Sequence, residues 1–87
     1  MESRGLYRII VQGNVNPAWR DRLEGMHIVR YRVENTDIYI SALTGRLTDQ
    51  ATLIGILNFL YDTGYPLISV DRLEAYPLPI DDMKDRP

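Results

Sequence analysis

An α+β fold is predicted for this chain, a single four-stranded antiparallel sheet with two helices on one face. Three observations predict it. Four runs of alternating apolar residues read as strands, two of them meeting at an Asn-centred turn. Between the first and second strands lies a short segment with helix-start residues at its head and glycine at its end. Between the third and fourth lies a longer run whose apolar residues follow the helical period.

The first strand is LYRIIVQ, ended by Gly13, with Tyr7, Ile9 and Val11 on one face and Arg8, Ile10 and Gln12 on the other. Asn16 is placed to cap the short helix, Pro17 fits its first position, and Gly25 falls just past its end. Trp19 and Leu23, four apart, form its inward stripe. The second strand, from His27 to Glu34, sets Val29, Tyr31 and Val33 against Ile28, Arg30 and Arg32. Asn35-Thr36 makes the turn, because Asn tolerates left-handed backbone. The return strand, from Asp37 to Thr44, sets Ile38, Ile40 and Ala42 against Tyr39, Ser41 and Leu43, and Gly45 is expected to break it.

Thr48 or Asp49 caps the long helix, whose positive N-terminal end suits Asp49. Leu53, Ile54, Leu57, Leu60 and Tyr61 form its amphipathic stripe, Gly64 closes it, and Pro66 stops it. PLISVDRLEAY is the fourth strand. This order, strand-helix-strand-strand-helix-strand, is that of the ferredoxin-like βαββαβ sandwich. The expected core holds Ile9, Val11, Trp19, Ile40, Leu53, Leu57 and Leu60. Residues 1–76 form one domain, and 77–87, with three prolines and no periodicity, form a flexible tail.

Composition narrows the function. A chain of 87 residues makes one domain with a thin core, which favours dimerisation. The absence of cysteine excludes disulfides, thiolate chemistry and cysteine metal sites. A net charge of −2 gives no reason to expect nucleic acid or anionic lipid as partner. Of ten cationic residues only Lys84 is lysine, and arginine favours paired and stacked roles. With no signal-like N-terminus and no membrane-length apolar run, a cytoplasmic protein is expected.

No catalytic constellation emerges. His27 has no acidic residue at ligand spacing, and a single imidazole is too few for a metal site. Ser3, Ser41 and Ser69 lack an evident base. The adjacent acids Asp81-Asp82 fall in the tail. GRLTDQA places glycine before a helix but lacks the second glycine and lysine of a phosphate-binding loop, so strand termination explains it. Neither metal nor cofactor is implied, and no enzyme is expected.

The stretches YRIIVQGNV, LTGRLTDQATLIGIL and DTGYPLISVDRLE resemble a group of small stand-alone bacterial proteins of uncharacterised function, over about Tyr7 to Glu74. The architecture is also similar to ACT domains, and that resemblance implies a second possibility, a small-molecule sensor binding its ligand between subunits. The sheet face away from the helices is expected to expose Arg8, Ile10, Gln12, Arg30, Arg32, Tyr39, Ser41, Ser69 and Asp71, types suited to an interface. Ile56 and Phe59, off the helix stripe, either complete a wide core face or make a second patch. The expectation is a non-enzymatic protein-interaction module, homodimeric, in a bacterial cytoplasmic pathway.

Overall fold

The computed structural model describes residues 5–73. Four strands, β1 (Gly5–Gln12), β2 (His27–Arg32), β3 (Tyr39–Leu47) and β4 (Leu67–Arg72), form one sheet in the order β2-β3-β1-β4. Every neighbouring pair is antiparallel. A 3-10 helix (Pro17–Leu23) joins β1 to β2, and α1 (Gln50–Asp62) joins β3 to β4.

The expected βαββαβ sandwich with two α-helices is therefore not formed. The first connection is a 3-10 helix, which leaves α1 as the one α-helix among the described residues. Local chemistry explains the difference. Asn16 caps the segment as expected, its Oδ1 accepting from Ala18 N at 2.9 Å, and Pro17 follows. Only seven residues later Glu24 (φ 56) and Gly25 (φ 70) turn left-handed and end it. A run so short gains little from α-helical hydrogen bonding, and here it takes 3-10 geometry, over a length unusual for that helix.

The longer helix follows its sequence signals closely. The Asp49 carboxylate accepts from Thr52 N at 2.8 Å and from Thr52 Oγ1 at 2.9 Å. The backbone N–H of Thr52 first, and its hydroxyl second, hold the Asp49 carboxyl below the usual carboxylate range. Gly64 at φ 90 carries the chain out of the helix. The buried stripe, however, is Leu53, Ile56 and Leu60, with Leu57 and Phe59 partly buried beside it. Ile56 and Phe59 thus complete the core face, and it is Ile54 and Tyr61 that point to solvent.

These side chains meet Tyr7, Ile9 and Val11 of β1 and Leu43 and Leu47 of β3, with Leu23 and Met26 closing the far side. Full burial of each such residue is worth about 1.5–3 kcal/mol. Trp19 packs edge-on against Phe59 (5.3 Å between centroids) and Tyr65 (6.1 Å), joining the 3-10 helix to α1 and its exit. Ile40, expected in this core, is half-buried and belongs to the other side of the sheet.

Gly45 does not end β3. The strand continues to Leu47, and Gly45 lies opposite Tyr7 with Met26 packed on it so closely that a Cβ would come within 3.1 Å of Met26 Cγ. The glycine is a seat for Met26 rather than a strand terminator. The hairpin turn holds Asn35 at φ 66, as its residue type suggests, but its strands stop at Arg32 and resume at Tyr39. Thr36 fills the gap, its hydroxyl donating to Val33 O at 2.8 Å and accepting from Ile38 N at 3.0 Å.

The tail from residue 77, with Asp81-Asp82, lies outside the described residues. Among the described residues no helix is long and apolar enough to cross a membrane.

Candidate functional site

Pairing register assigns each strand residue to a face. Ile9 lies opposite Leu43 and Val70, and Leu43 opposite Ile28, so these define the face packed against the helices. The next row on that face is Arg30, Ser41 and Val11, followed by Arg32 and Tyr39. The opposite face carries three rows of its own. They are His27-Thr44-Arg8-Asp71, Val29-Ala42-Ile10-Ser69 and Tyr31-Ile40-Gln12.

The nine expected interface residues are therefore divided by the sheet. Arg8, Ile10, Gln12, Ser69 and Asp71 share the open face as expected. Arg30, Arg32, Tyr39 and Ser41 lie on the helix side, and Ser41 is fully buried. On β2 and β3 the open face belongs instead to Val29, Tyr31, Ile40 and Ala42, which makes it more apolar than the sequence suggested. Its charges are confined to one end, where Arg8 Nη2 stands 3.8 Å from Asp71 Oδ2. Both side chains are about half exposed, so that pair contributes little to stability. No described element packs over this face.

Beside β2 lies a cleft of about 520 Å³. Asn14, Ile28, Val29, Arg30 and Tyr39 line it. Beneath the turn that carries Asn14 lies the fully buried Ser41, whose hydroxyl donates to Gly13 O at 2.7 Å and accepts from Val15 N at 3.0 Å. Gly13 N donates to Tyr39 O at 2.7 Å, and the Tyr65 hydroxyl donates to Asn14 O at 3.3 Å. Four hydrogen bonds thus hold the three-residue turn Gly13-Asn14-Val15. Glycine is required at its start, since φ is 127 and a Cβ would lie 2.6 Å from the Tyr65 ring. From this turn the Asn14 side chain reaches out, and its Oδ1 accepts from Arg30 Nη1 at 3.1 Å.

Asn14 is the residue that strand alternation could not reveal, because it belongs to a turn. The left-handed preference of Gly13 next to it was the available signal. Among the described residues no group of three or more His, Cys, Asp or Glu gathers where it could hold a metal ion.

No curated protein and no solved structure matches the chain. A family model does match, over residues 6–71, which takes in both helical segments, the cleft and all four strands but for the first residue of β1 and the last of β4. The chain belongs to the DUF8691 family, a domain of unknown function.

Proposed function

We propose that this chain is a non-enzymatic interaction module of a bacterial cytoplasmic pathway that forms a two-fold homodimer through its open sheet face. The orientation of the β2–β3 hairpin carries this reading. Its apolar alternates, Val29, Tyr31, Ile40 and Ala42, turn away from the helices, while Arg30 and Arg32 turn towards them. A sheet face solvated on its own normally shows the reverse pattern. Tyr31 is 56% exposed, a large ring left in water beside the half-buried Val29 and Ile40. The charged end is self-complementary, because a two-fold axis can set Arg8 of one protomer beside Asp71 of the other.

The size of the patch sets the strength. Three rows on four strands spaced about 4.8 Å apart cover on the order of 300–400 Å² of plane. That is below the roughly 800 Å² per partner of a standard stable interface, so the dimer is reversible. Light scattering from tens to hundreds of micromolar protein is expected to show a rising mass. Ile10→Glu, at the centre of the face, removes that rise, whereas Ile54→Glu on the exposed side of α1 leaves it. A mass that stays monomeric across the range ends the proposal, and loss of the dimer in Ile54→Glu alone moves the interface to the helix.

A further inference from the structure

The cleft at the outer end of β2 lies on the opposite side of the sheet from the proposed dimer face. We infer that it is a ligand site for a small phosphate monoester carried on a flat ring, with Arg30 as the anion-binding group. The inference stands or falls separately from the dimer.

Three features point to that chemistry. First, Arg30 is held by a neutral group. Asn14 Oδ1 takes one N–H of Nη1 and fixes the plane of the guanidinium, but no carboxylate among the described residues neutralises it. An exposed arginine normally roams or pairs with an acid. One that is oriented by an amide keeps its remaining donors for an oxyanion, which the guanidinium fork fits in bidentate fashion. Second, the amide that orients it is itself rigid. Asn14 springs from a turn pinned by the buried Ser41, by the Gly13 N–H donating to Tyr39 O and by the Tyr65 hydroxyl. Such support is characteristic of a preorganised contact and costs little further ordering when a ligand arrives.

Third, the walls select what the anion is attached to. Tyr39 is 38% exposed on this face and lies directly across from Arg32, with Arg30 one pleat away on the same side of β2. Side chains two residues apart on a strand are separated by about 7 Å, close enough for two guanidinium groups to share one phosphate. Two cations favour a doubly charged phosphate over a singly charged carboxylate. The Tyr39 ring and the half-buried Ile28 supply an apolar wall on which a planar ring can lie. A volume of about 520 Å³ accommodates a ligand of that size.

The test uses the full chain, isotope-labelled, and follows amide shifts during titration with phenyl phosphate, benzoate, phenol and inorganic phosphate. Phenyl phosphate is expected to bind most tightly and to shift Gly13, Asn14, Val15, Arg30 and Tyr39 together. Removing a charge-assisted hydrogen-bonding partner costs about tenfold or more in affinity, so Arg30→Gln weakens phenyl phosphate by at least that factor. Arg32→Gln, an exposed position outside the cleft lining, gives a smaller loss. Tyr39→Ala weakens phenyl phosphate but leaves inorganic phosphate unchanged. Affinity rises as pH passes the second phosphate pKa near ~6. Benzoate binding as tightly as phenyl phosphate overturns the phosphate assignment. Shifts outside the cleft, no shifts at millimolar phenyl phosphate, or full binding by a folded Arg30→Gln overturn the site.

Discussion

Replacing Ser41 with alanine tests both the assignment of strand faces and the rigidity of the cleft. Ser41 is fully buried, and its hydroxyl makes two hydrogen bonds to the Gly13-Asn14-Val15 turn. The substitution removes a single oxygen, so the cavity left behind is small. The cost comes from the partners that are stranded. Val15 is itself fully buried, and an unpartnered buried N–H costs about 1–3 kcal/mol. Gly13 O is only partly buried, so water can replace the hydroxyl there and the loss is nearer the ~0.5–1.5 kcal/mol of a net hydrogen bond. Together these give about 2–4 kcal/mol, a large part of the stability of a domain this size. Urea unfolding followed by fluorescence of the single tryptophan, Trp19, measures it directly, because that ring lies among Phe59 and Tyr65. Ser69→Ala, on the open face, is the control and is expected to change stability by less than about 0.5 kcal/mol. An equally small loss for Ser41→Ala would refute the inward orientation of β3 and, with it, the pinned turn.

Further outcomes follow from other positions. Ile56→Ala should cost about 2–5 kcal/mol, and Ile54→Ala, two residues earlier on the exposed side, should be nearly neutral in the same unfolding assay. Gly13→Ala should lower the melting temperature more than Gly25→Ala, since only Gly13 has the Tyr65 ring 2.6 Å from a new Cβ while both hold positive φ. The Asp49 carboxyl is depressed in the folded chain, so its stabilisation is present above the unfolded value near ~3.9 and is lost as pH falls through the lower folded value. Asp49→Asn should therefore flatten that part of the acid limb in melting curves, without shifting the rest. Deleting the residues after Pro79, outside those described, should leave the melting temperature unchanged.

Most of the element boundaries were legible because they rest on local chemistry. Asn16, Asp49, Asn35 and Gly64 each do what a cap or turn residue of that type does when isolated, and no tertiary contact overrides them. The first helical segment was legible as a turn-bounded piece but not as 3-10. That distinction depends on hydrogen-bond length over seven residues rather than on which side chains they carry. Gly45 was misread because glycine inside a strand and glycine after one look alike until Met26 is seen against it.

The division of the candidate site between two faces has a deeper origin. Alternation determines which residues of a strand share a face, but not which face meets the core, and a slip in that choice inverts every side chain of the strand. On β1 the choice was easy, since Tyr7, Ile9 and Val11 oppose Arg8 and Gln12. On the hairpin the polarity rule points the wrong way, because Val29 and Tyr31 are the more apolar set and Arg30 and Arg32 the more polar. What overrides polarity is the end of the sheet at which each row lies. The Ile28-Leu43-Ile9 row is apolar on all three strands, whereas the next row is covered at Val11 and Ser41 but open at Arg30. Beyond it Arg30 and Arg32, on the inner face of β2, are exposed and remain in water without penalty. Ser41 then makes the inward orientation specific, because it is the single polar group between them that is fully enclosed and fully hydrogen-bonded. The same orientation that places Arg30 beside Asn14 turns Val29, Tyr31, Ile40 and Ala42 outward. The cleft and the apolar open face are thus two consequences of one choice of strand parity, and a residue that enforces that choice supports both.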